Sequence, residues 1–222
     1  QRYADYLMSH RASTKTTQKG VIYAVDFELV SDHLIKREYQ YAALVRRYAQ
    51  HYRVSESLIY AVMRIESSFN PYAVSQANAY GLMQVVPRTA GRDVFAKIKN
   101  RPGQPSKSYL FEPHHNIDTG TAYLSLLDTH YLKDLRDPLT RKYAVISAYN
   151  GGAGNVFKTF DSRRARAIDK MNSLTPHQVY GALTQRHPLN ESRRYLKKVA
   201  QADTDSVSYT HLRAHETDSY LV

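Results

Sequence analysis

The sequence predicts a mainly α-helical domain preceded by a short strand-containing segment, and three observations carry that prediction. From Tyr39 onward apolar residues recur at three- and four-residue steps, the repeat of one helix face. Before Gln40 the pattern differs: turn residues (Ser13, Thr14, Thr16, Thr17, Gly20) lead into a β-favouring run at residues 21–30, VIYAVDFELV. Finally, 222 residues with 42% apolar and 23% charged side chains suit one packed core with a smaller attachment, and exclude wholesale disorder and collagen-like repeats.

The elements follow in order. Residues 39–52 place Tyr41, Leu44, Val45, Tyr48, Ala49 and Tyr52 on one face of a first helix. Ser55 is suited to cap a second, in which Leu58, Ala61, Val62, Ile65 and Phe69 recur until Asn70 and Pro71 end it. Helical patterns continue at residues 89–98, 117–132, 138–149, 155–160, 176–186 and 191–200, giving roughly seven to nine helices. Residues 102–113 and the cluster Gly151, Gly152, Ala153, Gly154 read as loops. Residues 206–222 show no helical face and read as a non-native or disordered tail. The predicted organisation is a strand-containing end of another unit at 1–38, the helical domain at 39–205, and the tail at 206–222.

Composition narrows the function classes. The longest uninterrupted apolar run is six residues, 58–63, where about twenty are needed to cross a bilayer as a helix. The absence of cysteine removes disulfides, thiol catalysis and iron–sulfur ligation without choosing a redox compartment. Because the text starts at Gln1 with no leader-like segment, it reads as processed or as part of something longer, any anchor lying outside it. A formal charge of +11 predicts attraction to polyanions: nucleic acid, anionic headgroups or a carboxylate-bearing wall polymer. The 19 tyrosines, against 6 phenylalanines and no tryptophan, suit grooves for wet, ring-shaped ligands, although buried rings with satisfied hydroxyls are the ordinary use.

One carboxylate stands out. On a wheel of about 100° per residue Glu66 falls on the shoulder of the apolar stripe, where partial desolvation would raise its pKa toward that of a general acid. The ordinary reading of such a position is a helix-end acid that is solvated or paired with Arg64. Glu66 is the only acid between Ser57 and Arg92, so the usual second carboxylate of a glycosidase is not nearby in sequence. Downstream, Ser75 supplies a hydroxyl, Gly81-Leu82-Met83-Gln84 an open backbone and an amide, and Ala148-Tyr149-Asn150 a phenol beside an amide at a helix end.

These segments, with Glu66-Ser67-Ser68-Phe69-Asn70-Pro71 and Glu191-Ser192-Arg193-Arg194-Tyr195, resemble the four ordered motifs of the soluble-lytic-transglycosylase family, to which goose-type lysozyme is structurally related. The resemblance spans about residues 39–201 and implies a lysozyme-like helical domain with a cleft. It implies Glu66 as catalytic acid and base, with Ser75, Met83, Gln84, Tyr149, Asn150, Glu191 and Tyr195 lining the substrate site, and no cofactor or metal. The implied substrate is peptidoglycan, cleaved between N-acetylmuramic acid and N-acetylglucosamine to leave a 1,6-anhydro end. The start of the chain would then be the end of an accessory domain. The implied setting is the bacterial envelope, at the periplasmic face of the outer membrane, with a lipid anchor outside this sequence, a monomeric state and no nucleic-acid partner.

Three other readings remain at this level. A basic nucleic-acid-binding protein explains the charge and the clusters Arg163-Arg164-Ala165-Arg166 and Arg193-Arg194, yet leaves Glu66, Gln84 and Asn150 without a role. An idle wall-binding module and a hydrolytic lysozyme keep the same cleft. The adjacent His114 and His115 lack ligand spacing and read as solvent-facing loop residues.

Overall fold

The computed structural model describes the backbone of residues 12–17, 20–25 and 33–218, and the side chains of 37–205. The chain divides into two compact units, residues 1–37 and 38–222. In the first, β1 (Ala12–Thr17) pairs antiparallel with β2 (Gly20–Val25), Ala12 opposite Val25 and Thr17 opposite Gly20. Residues 26–30 of the expected strand run lie outside the described residues.

The larger unit is helical. After α1 (His33–Gln40), α2 (Ala42–Tyr52) and α3 (Glu56–Ser67) are separated by a reversal at Arg53, which takes left-handed backbone. The Ser55 side chain accepts from Leu58 N at 3.4 Å, so the expected cap forms. The apolar stripe assigned to α3 is too narrow: all six residues from Leu58 through Met63 are buried. A helix apolar all round belongs in the centre of a domain, and α3 packs against α2 on one side and α11 (Asn190–Asp218) on the other.

A π-helical turn (Pro87–Gly91) leads into α4 (Arg92–Lys97). The segment expected as a loop at 102–113 contains α5 (Lys107–Phe111), whose first turn is held by Ser106 Oγ accepting from Tyr109 N at 3.1 Å. Next, α6 (Pro113–Leu126) buries a run of polar residues, Asn116, Asp118, Thr119 and Thr121, among apolar neighbours. Asp118 accepts from the Tyr52 hydroxyl at 2.6 Å and pairs with Lys99, so its buried charge is compensated. His114 and His115 lie in the first turn of α6 and not in a loop; His114 is exposed, as expected, with Nε2 2.7 Å from the Tyr48 hydroxyl, whereas His115 is half-buried, its ring stacked on Tyr109 at 4.0 Å.

A second π-helical turn (Leu127–Tyr131) extends α6; then come α7 (Pro138–Gly151), α8 (Ala153–Lys158), α9 (Arg164–Ser173), α10 (Pro176–Arg186) and α11. The helix α9 has no counterpart in the sequence reading, because only Ala167 and Met171 of its ten residues are buried and the periodic signal is correspondingly thin. The backbone of α11 continues past Asp205 as far as Asp218. Among the described residues no helix is long and apolar enough to cross a membrane.

Between α3 and the π-helical turn at Pro87 the chain runs through residues 70–85 without a helix, and isolated bridges of Tyr80 with Val74 and Val85 fold it back on itself. One fully buried side chain holds this segment. Asn116 Oδ1 accepts from Met83 N at 2.8 Å, while its Nδ2 donates to the carbonyls of Tyr80 and Leu110, both at 2.7 Å. The amide fits because residue 81 is glycine with φ +76°; a Cβ there would lie 2.3 Å from Asn116 Nδ2 and 2.4 Å from the Leu110 carbonyl oxygen. Gly81→Ala adds both a disfavoured φ and a clash with buried polar atoms, so it is expected to lower the unfolding free energy by more than about 2 kcal/mol in urea titration. A change below about 0.5 kcal/mol, the range of neutral surface substitutions, would contradict this packing.

Candidate active site

Glu66 occupies the last turn of α3 and is half-buried. The helix stops directly after it because Ser68 and Phe69 adopt left-handed backbone, φ 49° and 62°. For a bulky residue such as Phe69 this conformation is strained. It turns the Phe69 ring into the core, where it is 2% exposed. The reversal is pinned by Ser67, whose Oγ donates to the Leu82 carbonyl at 2.7 Å, tying the end of α3 to the Gly81-to-Gln84 turn.

Three helices enclose the carboxyl. From α11, the Tyr195 phenol lies beside Glu66 and favours its charged form, although its hydroxyl stops short of a regular hydrogen bond. From α7, Tyr149 donates its hydroxyl to the Met83 carbonyl at 2.8 Å, and its ring lies 5.6 Å from that of Tyr123 on α6. Glu191, in the first turn of α11, adds a like charge that Glu66 feels.

Burial dominates this balance. Desolvation, with the lesser push of Glu191, outweighs the Tyr195 hydroxyl and raises Glu66 from the ordinary 4.5 to about 7. The same burial, together with the Glu66 charge, pushes the phenols of Tyr149 and Tyr195 well above the usual tyrosine value, so both remain neutral donors. Among the described residues no cation offsets Glu66: Arg64, two residues before it, turns to Glu38 at 3.6 Å. A carboxyl that ionises near neutrality between two phenols is equipped to give up a proton and take it back.

A profile of the transglycosylase SLT domain matches residues 43–172, more than half of the sequence. The chain belongs to the transglycosylase SLT family. A second profile, the N-terminal domain of membrane-bound lytic murein transglycosylase C, matches residues 1–40. Proteins named membrane-bound lytic murein transglycosylase C are similar to this chain. That of Pectobacterium atrosepticum is 54% identical over 200 residues, 90% of this chain and 56% of the relative. That of Sodalis glossinidius is 54% identical over 197 residues, 89% and 55% respectively. The chain thus spans about half the length of the curated relatives it matches. Among solved structures, the 70-kDa soluble lytic transglycosylase of Escherichia coli superposes with a TM-score of 0.59 at 28% identity, over 81% of this chain and 26% of that one. An inactive variant of the lytic transglycosylase Slt of Pseudomonas aeruginosa gives 0.57 and 27%, over 76% and 24%. The helical unit therefore has the lysozyme-like fold of this family.

Within that fold the residues singled out from sequence take different places. Glu66, Tyr149, Glu191 and Tyr195 share one electrostatic environment. Asn150 adjoins it: its Oδ1 accepts from Ser192 Oγ at 2.6 Å, which leaves Nδ2 toward Glu191 Oε1 at 3.5 Å. Met83 contributes its carbonyl, since its side chain is wholly buried against Gly120 and Thr121. Gln84 spends its amide donors on the carbonyls of Ala73 at 3.0 Å and Gly81 at 2.9 Å, bracing the turn with its own backbone at φ 46°. Ser75 Oγ accepts from Ala79 N at 3.1 Å, within its own turn.

Sequence reasoning missed Asn116, Ser67, Ser192 and His187. His187 is fully buried and neutral, its pKa lowered chiefly by desolvation, with Nδ1 accepting from Leu189 N at 3.1 Å. Ser67 and Ser192 each flank a motif glutamate, which is the one signal that would have found them; Asn116 and His187 carry none.

The raised pKa has a measurable consequence for stability. Folded Glu66 keeps its proton to about pH 7, whereas the unfolded carboxyl releases it near 4.5. Between these values the unfolded chain binds fewer protons, so stability falls as pH rises through the window. Glu66→Gln removes that penalty and is expected to gain on the order of 3 kcal/mol over the parent at pH 8 relative to pH 4, read by urea unfolding. An equal difference at the two pH values would place the carboxyl in open water.

Proposed function

We propose that this protein is a peptidoglycan lytic transglycosylase, cleaving the β-1,4 bond between N-acetylmuramic acid and N-acetylglucosamine with formation of a 1,6-anhydromuramoyl end. The observation that carries the reading is the half-buried Glu66, poised near pH 7 between two neutral phenols. Family membership and relatives named lytic murein transglycosylases support it.

The chemistry follows from one acid used twice. Neutral Glu66 protonates the departing glycosidic oxygen while the muramoyl N-acetyl carbonyl oxygen attacks the anomeric carbon, forming a cyclic oxazolinium. Glu66, now a carboxylate, is the form that the Tyr195 hydroxyl favours. It takes the proton of the muramoyl 6-hydroxyl, whose oxygen bonds to the anomeric carbon as the N-acetyl oxygen leaves. The first proton leaves on the departing sugar's new hydroxyl, the 6-hydroxyl proton restores the Glu66 acid, and no water is consumed. Tyr149 and Ser75 are assigned to the N-acetyl group, Asn150 and Glu191 to the sugar and the cleft wall, and Met83 and Gln84 to the turn that shapes the floor.

A hydrolytic second reading has one observation in its favour: Glu191 sits close enough for its charge to act on Glu66, as the partner carboxylate of a lysozyme would. Product mass separates the two, because an anhydro end lacks the water that a hydrolysed end gains.

The relatives' names, and the match of residues 1–40 to an N-terminal domain, support the wider assignment. On that reading residues 1–38 end an accessory domain, and the whole protein is monomeric and lipid-anchored at the periplasmic face of the outer membrane. Residues 206–222 are assigned to a segment foreign to the domain.

Digestion of purified peptidoglycan followed by mass spectrometry tests the reaction. The parent is expected to release 1,6-anhydro muropeptides. Glu66→Gln should lose ~10² to 10⁴ of that activity, the usual contribution of a general acid, and Ser75→Ala less. Because the first step needs the protonated acid, the parent's rate should fall as pH rises above about 7. Normal anhydro release by Glu66→Gln ends the assignment.

A further inference from the structure

Few large apolar side chains stand open to solvent among the described residues, and two of them, Tyr72 at 70% and Val74 at 52% exposure, lie in the non-helical segment that follows Glu66. Tyr72 does not stand alone. Its ring meets Phe111 of α5 edge-on at 5.7 Å, and Tyr80 meets Phe111 edge-on at 5.8 Å. Above them the Lys107 ammonium lies 5.7 Å from the Tyr80 ring centre and 5.4 Å from that of Phe111. Lys107 is exposed and forms no ion pair among the described residues.

This cluster is ordered before any ligand arrives. Tyr72 N donates to Asn70 Oδ1 at 3.0 Å, and Tyr80 exchanges two backbone hydrogen bonds with Val85, both 3.1 Å. It is also joined to the Glu66 site: Asn116, which holds the Tyr80 carbonyl, holds Met83 N as well, and the Met83 carbonyl receives the Tyr149 hydroxyl. A fixed, water-facing ring has little to do in folding, since exposed apolar surface gains nothing from it. Flat rings beside a free cation match a ligand that is itself flat and apolar on one face and anionic at one edge. A sugar ring carrying a peptide carboxylate has that form.

We propose that Tyr72, Tyr80 and Phe111 form an aromatic shelf at the rim of the cleft that holds a ring of the glycan strand by its apolar face, while Lys107 takes a carboxylate of the attached peptide. The shelf rests on the transglycosylase reading for its substrate class, but its test does not depend on turnover.

The experiment uses the Glu66→Gln background of the full chain and two probes, a tetrasaccharide of alternating N-acetylglucosamine and N-acetylmuramic acid with its stem peptides and the same tetrasaccharide without them. Binding is read by calorimetry or by tyrosine fluorescence. Tyr72→Ala is expected to weaken both probes about three- to twelvefold, the upper range of one lost ring contact. Lys107→Gln is expected to weaken the peptide-bearing probe at least three times more than the bare one, and that difference should vanish at high salt. Both side chains are exposed, so unfolding midpoints should match the parent's. Affinities within twofold of the parent for both variants would overturn the shelf, as would equal effects of Lys107→Gln on the two probes. Failure of the reaction reading shows separately, as absence of anhydro products from the parent.

Discussion

Everything at the site depends on how a mostly helical protein pays for sixteen residues that are not helical. Residues 70–85 carry peptide groups with no helix to satisfy them, next to a core where an unpaired N–H or C=O costs about 1–3 kcal/mol. Asn116 answers two of these groups, Met83 N and the Tyr80 carbonyl, from inside α6, and ties them to the Leu110 carbonyl of α5. With that amide in place, the Met83 carbonyl is left for Tyr149 and the Leu82 carbonyl for Ser67. The turn is thereby fastened to both α7 and the end of α3, where Glu66 directly precedes Ser67. Removing the amide would loosen the environment of the acid without touching the acid itself.

The electrostatics show why phenols surround Glu66 instead of cations. An arginine or lysine against the carboxyl would hold it ionised far below neutrality and leave no proton to donate. On a chain with a net charge of +11 such a partner is easily supplied, yet Arg64 turns away to Glu38. A neutral hydroxyl stabilises the carboxylate more gently. Tyr195 therefore lowers the acid without overriding its burial, and Glu191 pushes in the opposite direction. The result near pH 7 leaves neither protonation state expensive to reach, which suits a group that alternates between them within one turnover.

Much of this was legible in the sequence, and the misses have physical causes. Periodicity found α2, α3, α7 and α10 because each carries several core residues; it missed α9, which spreads two over ten residues. It gave α3 a narrow stripe because the eye follows one face, whereas six consecutive buried residues leave no polar face to contrast with it. Glu66 was legible as a boundary acid, and its desolvation follows from that position. What could not be read is which backbone a side chain serves. Gln84 and Met83 look like ligand-facing residues in a motif, yet the first braces its own turn and the second lends a carbonyl. Asn116 looks like any polar residue at a helix start. Long-range hydrogen bonds to main chain leave no periodic trace, so residues that act through them stay silent.

The close approach of α7 and α11 illustrates how one missing atom sets a functional orientation. Gly151 ends α7 where a Cβ would stand 2.5 Å from Ser192 Oγ and 2.8 Å from the His187 ring. Without that carbon, Ser192 comes within 2.6 Å of Asn150 Oδ1. A hydroxyl that donates to the amide oxygen fixes which end of the amide faces away from it, a choice that an isolated asparagine would leave open. The amide N–H groups are thereby turned toward Glu191, whose charge Glu66 feels. The glycine thus acts on the chemistry at two removes, through a helix crossing and then a serine. It follows that the Tyr149-Asn150-Gly151 run is a single device: the phenol holds the Met83 carbonyl, the amide meets Ser192 and Glu191, and the residue after them permits the helix approach at which the amide can.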